Sequence, residues 1–184
     1  AQTFDGIGLH SGKSARLRIC PAPENHGIWF FRTDMQIGDN AIPARWDRVE
    51  PSSLCTKLTN EAGISVSTVE HVLAALSGCG VHNARIEING PEVPILDGSA
   101  IPFVLGILKH GLEYLDAPLT ALRVLREVKF GTDQGWAKLV PSDVQIVRRS
   151  RGPSEHWQRL AQRSNLDVGQ THVAHLDLAI HQTC

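Results

Sequence analysis

The ten residues STVEHVLAAL, at positions 67–76, decide the fold of this chain because they combine a helix start with a single apolar face. Apolar side chains recur at the spacing of one face of an α-helix, at Val69, Val72, Leu73 and Leu76. The glycines of the following SGCG stretch, residues 77–80, are typical of a helix end. The pattern therefore predicts a helix over residues 69–77 whose apolar face packs on a core.

Strand patterns surround this helix on both sides. Residues 14–20 alternate apolar and polar side chains, which is typical of a half-buried strand. A second helix is predicted over residues 101–110, with Ser99 as its N-cap and Gly111 past its end. The other predicted elements are strands at 41–49 and 83–90 and hairpins of 14–20 with 28–34, 54–59 with 64–68, and 121–130 with 136–141. This order predicts the α+β class, an antiparallel sheet with two helices packed on one face.

The composition narrows the class of protein. The chain has 184 residues, 42% of them hydrophobic, and a formal net charge of −1, so nothing in its charge favours binding to nucleic acid or to a membrane surface. No apolar run approaches the roughly 20 residues of a membrane-spanning helix, so no transmembrane segment is expected. The four cysteines are scattered and form no disulfide framework, which favours a cytoplasmic location.

Glu70 and His71 lie off the apolar face of the first helix, in its first turn. A carboxylate beside a histidine-bound metal can take a proton from water, so the pair is a candidate hydrolytic site. The alternative is structural, because Ser67 and Glu70 have the spacing of a capping box. Small residues lie on the side of the helix that carries Glu70 and His71, at Ala74, Ala75 and Gly78. They predict that another domain or molecule packs closely against that side.

Three further stretches are candidates for either function or structure. GIGLHSG, residues 6–12, could present His10 to a ligand or form a plain turn, since its glycines permit a positive φ. In PILDGSA, residues 94–100, we expect Asp97 to serve a turn and cap. Cys55 lies in a strand pattern and is expected to be a small core residue.

Taken together and in one order, these motifs closely resemble the N-terminal domain of the UDP-3-O-acyl-N-acetylglucosamine deacetylase family, the zinc-dependent amidases of lipid A biosynthesis in Gram-negative bacteria. The resemblance covers residues 4–145. It rests on GIGLHSG, IPA, LCT, STVEHVLAAL, GVHNARIEINGPEVPILDGSAIPFV and WAKLVP.

The resemblance implies a fold of two similar α+β domains with the active site between their helix layers. It implies Glu70 as general base, His71 as zinc ligand, and His10, Leu54 and Cys55 as residues at the substrate site. The expected reaction is hydrolysis of the acetamide of a UDP-linked acylated N-acetylglucosamine, which releases acetate and a free amine.

The character of the chain changes after residue 146. We expect a deacetylase-type first domain over residues 1–146 and a divergent, poorly ordered tail over residues 147–184. The tail lacks the family's H-K-x-x-D stretch, which supplies two zinc ligands, so we expect an incomplete enzyme with weak or no activity. The alternatives are a metal site completed by His172, His175 and His181, or a non-catalytic module that binds a nucleotide sugar or another protein.

Overall fold

A computed structural model describes residues 1–35, 40–119, 124–132, 135–141 and 175–180, with backbone alone for 130–132, 135–138 and 175–180. The chain divides into two units, Ala1–Ala117 and Pro118–Cys184. The elements of the first unit are β1 (Gln2–Ile7), β2 (Ser14–Pro21), β3 (Ile28–Arg32), β4 (Ala41–Pro43), β5 (Val49–Glu50), β6 (Lys57–Thr59), β7 (Ser65–Ser67), α1 (Glu70–Gly78), β8 (Ala84–Ile88) and α2 (Ile101–His110).

Alternating side chains build the main sheet of the first unit, whose strand order is β1-β2-β8-β3-β4. In β2, Ala15, Leu17 and Ile19 are buried while Arg16 and Arg18 point to the other, polar face. All neighbouring strands run antiparallel except β3 and β8, which are parallel. The predicted strands at 14–20, 28–34 and 83–90 are therefore present, within an antiparallel-rich sheet.

The predicted hairpin between residues 14–20 and 28–34 is wrong. Strand β8 lies between β2 and β3 and pairs with both. Its residues Ala84, Ile86 and Ile88 are fully buried, so its apolar side belongs in the centre of the sheet. Strands β2 and β3 are consecutive in sequence, which suggested a hairpin. Strand β8, whose apolar side is completely buried, lies between them instead. Strand β1 had not been predicted.

Both helices pack on the apolar face of this sheet, which confirms the predicted α+β class. Val72 and Leu76 of α1 and Phe103 and Ile107 of α2 belong to the same buried cluster as the inward side chains of the strands. The ring of Phe4 in β1 lies 4.9 Å from the ring of Phe103. The observed helix bounds differ from the predicted ones by one residue at most.

The short sheet β5-β6-β7 contains the predicted hairpin of residues 54–59 with 64–68. Asn60 forms its turn, because its Oδ1 accepts the N–H groups of Ala62 and Ile64 at 3.0 and 2.9 Å. The predicted strand at 41–49 divides into β4, a 3₁₀ turn at Trp46–Arg48, and the first residue of β5. This hairpin lies next to the start of α1.

The second unit contains β9 (Val128–Thr132), β10 (Gly135–Val140) and β11 (His175–Ile180), in the order β11-β10-β9. The pairing of β9 with β10 confirms the predicted hairpin, although its first strand begins at Val128 and residues 124–127 are not part of it. β11 pairs antiparallel with β10, and the other residues of the 147–184 segment lie outside the described residues. The predicted domain boundary at residue 146 and the predicted character of the tail stay predictions.

In the part of the chain that the structure describes, neither helix has the length and apolar character needed to cross a bilayer. The two helices have nine and ten residues.

Candidate functional site

A groove of about 410 Å³ opens in the first unit. It lies between residues 52–55 ahead of β6, strand β7, and the glycine-rich loop of residues 6–12. Three of the residues expected at a substrate site, His10, Leu54 and Cys55, line it together. The other lining residues are Ser52, Ser53, Lys57, Ser65, Ser67 and Pro91. Tertiary structure thus brings together positions that lie far apart in sequence.

Glu70 is the first residue of α1 and is not one of the residues that line this groove. Its Oε2 accepts the backbone N–H of Thr56 at 3.1 Å, one residue beyond Cys55. The capping-box alternative is wrong, because the N-cap position is Val69 and no side chain caps the helix. The hydroxyl of Ser67 instead donates to the carbonyl of Pro91 at 3.1 Å, since Ser67 is still part of β7.

His71 follows in the same turn and is half-buried. Its imidazole has no hydrogen-bond partner among the described residues, and it is not one of the residues that line the groove. No group of three metal-ligating side chains is present within residues that the structure describes. Among the described residues, His71 is therefore not part of a group of three or more side chains that could hold a metal ion.

The face expected to carry the small residues differs in one position. Ala75 is fully buried in the core, whereas Ala74 and Gly78 are exposed beside the half-buried His71. Ala75 lies on the same buried side of the helix as Val72 and Leu76, and the sequence pattern did not predict this. The exposed small surface is consequently narrower than predicted.

The glycine-rich loop that carries His10 is held by Glu92, a residue that sequence reasoning missed. The Glu92 side chain accepts the N–H of His10 at Oε1 and the N–H of Ser11 at Oε2, each at 2.8 Å. Its Oε1 also accepts the hydroxyl of Thr68 at 3.1 Å. The residue is only 3% exposed. A charged residue between two prolines in the apolar stretch PEVPI was the one sequence feature that could have indicated it.

Opposing influences act on the pKa of Glu92. Burial, the largest single influence, raises the pKa, but the donors of His10, Ser11 and Thr68 together outweigh it and hold the pKa below its ordinary value. Glu92 is therefore an ionised carboxylate at neutral pH. Buried carboxylates are stable in this form only when donors surround them.

Gly8 makes room for this carboxylate. An added Cβ at Gly8 would lie 2.7 Å from Glu92 Cδ and would also collide with its Oε2 and with the Ser11 hydroxyl. The loop closes through the N–H of Gly12, which donates to the carbonyl of Gly8 at 3.0 Å, and Gly12 has a φ of 63°. The stretch is therefore a tight turn that also presents His10 to the groove.

The remaining predicted positions divide between site and scaffold. Cys55 is half-buried at the groove with its Sγ 3.3 Å from Ser52 Oγ, so the prediction of a core cysteine is wrong. Leu54 is exposed, and Lys57 adds a cation at the groove, 2.9 Å from Glu50.

Asp97 has the predicted turn role, because its Oδ1 accepts both the N–H and the hydroxyl of Ser99 at 2.9 Å. Ser99 Oγ in turn accepts the N–H of Ile101 at 3.1 Å, which supports the start of α2, although Ala100 takes the N-cap position.

An α+β domain with the Glu70 carboxylate anchored next to a groove that histidine, serine, cysteine and lysine side chains line defines the class of protein by its fold and site. The family can be specified further. Residues 1–174 match the family described as LpxC: UDP-3-O-acyl N-acetylglycosamine deacetylase, and the chain belongs to this family.

Curated relatives agree with this assignment. The chain is 46% identical over 136 residues to the UDP-3-O-acyl-N-acetylglucosamine deacetylase of Shewanella oneidensis and, over the same length, to that of Shewanella baltica. The matched region covers 74% of this chain and 44% of each relative. The chain therefore spans less than half the length of the relatives it matches.

Proposed function

We propose that this chain contributes to zinc-dependent removal of the N-acetyl group from UDP-3-O-acyl-N-acetylglucosamine, in lipid A biosynthesis. One observation carries the proposal: Glu70 is anchored at Thr56, immediately beside the groove that His10, Leu54 and Cys55 line. The names of the relatives support the choice of substrate.

The proposed role of Glu70 is that of general base. Hydrolysis joins a water oxygen to the acetyl carbon, breaks the C–N bond, and releases acetate and an amine. Thr56 holds Oε2 of Glu70, while Oε1 has no partner among the described residues and is available to accept the proton of the water. His10, Leu54 and Cys55 would contact the substrate.

His71 is the proposed zinc ligand. Its imidazole fits this role because imidazole nitrogen is a common zinc donor and no described residue occupies it with a hydrogen bond. A catalytic zinc takes three protein ligands, so at least one would have to come from residues other than those described. When bound, zinc would polarise the substrate carbonyl and acidify water.

An assay of acetate release from UDP-3-O-acyl-N-acetylglucosamine, with and without added zinc, tests the proposal. Because the described residues do not complete a set of three ligands, we expect slow, zinc-dependent turnover. Glu70→Gln should lower it by at least about 100-fold, the usual contribution of a general base. His71→Ala should abolish the zinc dependence, whereas His82→Ala, a change at an exposed histidine, should leave the rate unchanged. Equal turnover in wild type and Glu70→Gln would contradict the proposed role.

A cytoplasmic location belongs to the same proposal. Cys20, Cys55 and Cys79 are free thiols in the described part of the chain, which fits a reducing compartment. Labelling of these thiols on protein isolated from cells under alkylating conditions would test it, since an oxidising compartment would leave some of them modified.

A second candidate, a protein-interaction module, is favoured by one observation on α2. Ile101, Leu105 and Leu108 form an exposed apolar stripe at helical spacing, each more than half exposed. A second copy of the chain is the simplest occupant to test. Sedimentation should then show a dimer that Leu105→Glu dissociates and Lys109→Glu, a change at an exposed neighbour, does not. A concentration-independent monomer would exclude self-association.

A further inference from the structure

We propose that Glu92 is a positioning residue that holds the His10 loop against the segment entering α1, and so fixes where His10 stands at the groove. The proposal rests on the proposed function for the meaning of the groove, but its geometry is independent of catalysis. Glu92 is connected to the loop through His10 and Ser11 and to the helix entry through Thr68.

The helix entry is itself tied to the segment that carries Glu92. The N–H of Ser67 donates to the carbonyl of Pro91 at 2.9 Å, and the N–H of Val93 donates to the carbonyl of Ser67 at 3.1 Å. Glu92 therefore cannot move relative to residues 67 and 68 without loss of these bonds. Three chain segments thus meet at one carboxylate.

Thr68 supplies an independent indication of constraint. It adopts a φ of 59°, a conformation that is uncommon for a β-branched residue and costs about 1–3 kcal/mol. Its hydroxyl is bonded to Glu92, and the residue is 2% exposed. Such strain persists only where surrounding contacts fix it. Glu70 follows two residues later, so the same contacts set the start of the helix that bears Glu70 and His71.

His10 depends on this arrangement because its backbone, rather than its side chain, is held. Both amides that Glu92 binds belong to consecutive residues of the loop, and His10 lines the groove. A glutamine at position 92 has one carbonyl oxygen, so it can satisfy one of these amides but would direct its own N–H groups at the other. The loop should then open although the fold remains.

Amide hydrogen exchange measured by NMR on the whole chain tests this role. In Glu92→Gln we expect exchange at the His10 and Ser11 amides to rise by about tenfold or more, the effect of losing a bond to a charged acceptor, with β2 and β8 unchanged. Glu87→Gln is the matched control, since Glu87 pairs with Arg18 and Arg85 on the polar face of the sheet. Unchanged exchange at His10 and Ser11, or a uniform rise throughout the chain, would overturn the proposal.

Titration with UDP-N-acetylglucosamine connects the contact to binding. The probe should shift the His10 ring resonances in wild type, with a dissociation constant that rises several-fold in Glu92→Gln and not in Glu87→Gln. An equal dissociation constant in wild type and Glu92→Gln would overturn the positioning role. A wild-type chain that does not bind the probe would count against the proposed function, and the exchange data would still decide whether Glu92 holds the loop.

Thr68→Val covers the case in which Glu92→Gln does not fold. It removes the bond through which the helix entry fixes the Glu92 carboxylate that accepts the His10 N–H. Exchange at the His10 amide should rise although the changed residue lies elsewhere in sequence. A response confined to residues 67–69 would contradict the coupling.

Discussion

Gly8→Ala should destabilise the protein although it adds only a methyl group. The new Cβ would lie 2.7 Å from Glu92 Cδ, a distance at which one of the two must move. The carboxylate is 3% exposed and bonded to two backbone amides, so its displacement breaks at least one bond to a charged acceptor. With about 1.5–3 kcal/mol for that bond and a smaller overpacking term, we expect a loss of about 2–4 kcal/mol.

Urea unfolding followed by far-UV circular dichroism measures this loss as a change in the free energy of unfolding. Gly90→Ala is the matched control, because a Cβ there meets no atom within 4 Å although Glu92 is two residues away. We expect the control to change stability by less than about 0.5 kcal/mol.

The double variant of Gly8→Ala with Glu92→Ala separates the clash from other effects of the added methyl group. If the carboxylate is the obstacle, Gly8→Ala should cost at least about 1 kcal/mol less in the Glu92→Ala background than in wild type. Additive losses, or a Gly8→Ala variant as stable as wild type, would refute this account of the loop.

Two further predictions, the second with a control substitution, test the scaffold. The hydrogen bond from Arg32 lowers the pKa of Asp34 in the folded protein. This hydrogen bond therefore stabilises the fold fully above the unfolded-state pKa of about 3.9. The stabilisation is lost as the pH falls through the lower pKa of the folded state. Asp34→Asn should therefore lower the free energy of unfolding near pH 7 by at most about 1 kcal/mol, given its partial exposure, and the difference from wild type should vanish in urea titrations at strongly acidic pH. Gly106→Ala in α2 would place a Cβ 2.6 Å from the Phe4 ring and should cost about 1–3 kcal/mol despite the better helix propensity of alanine. Gly78→Ala in α1 meets no atom within 4 Å and should be neutral or stabilising by up to about 1 kcal/mol, so equal thermal-unfolding shifts for the two glycines would contradict the packing argument.

Local patterns in the sequence sufficed for much of the fold. The predicted helices over 69–77 and 101–110 match α1 and α2 to within one residue, because the spacing of apolar side chains along a helix is a property of the chain alone. The hairpin of β6 and β7 was also predictable from the sequence, because its turn is formed by Asn60 and the residues next to it. Motif resemblance likewise led to the family.

The sequence by itself determined most of the segments that become strands and helices, β1 excepted, since side-chain periodicity and turn residues act over a few positions. Only the tertiary structure decided that β8 separates β2 from β3, that Glu70 binds Thr56 rather than capping its own helix, and that Glu92 holds a loop 82 residues away in sequence. The physical reason is that a buried carboxylate or a central strand takes whichever donors or neighbours the assembled core brings to it. No local pattern specifies those partners.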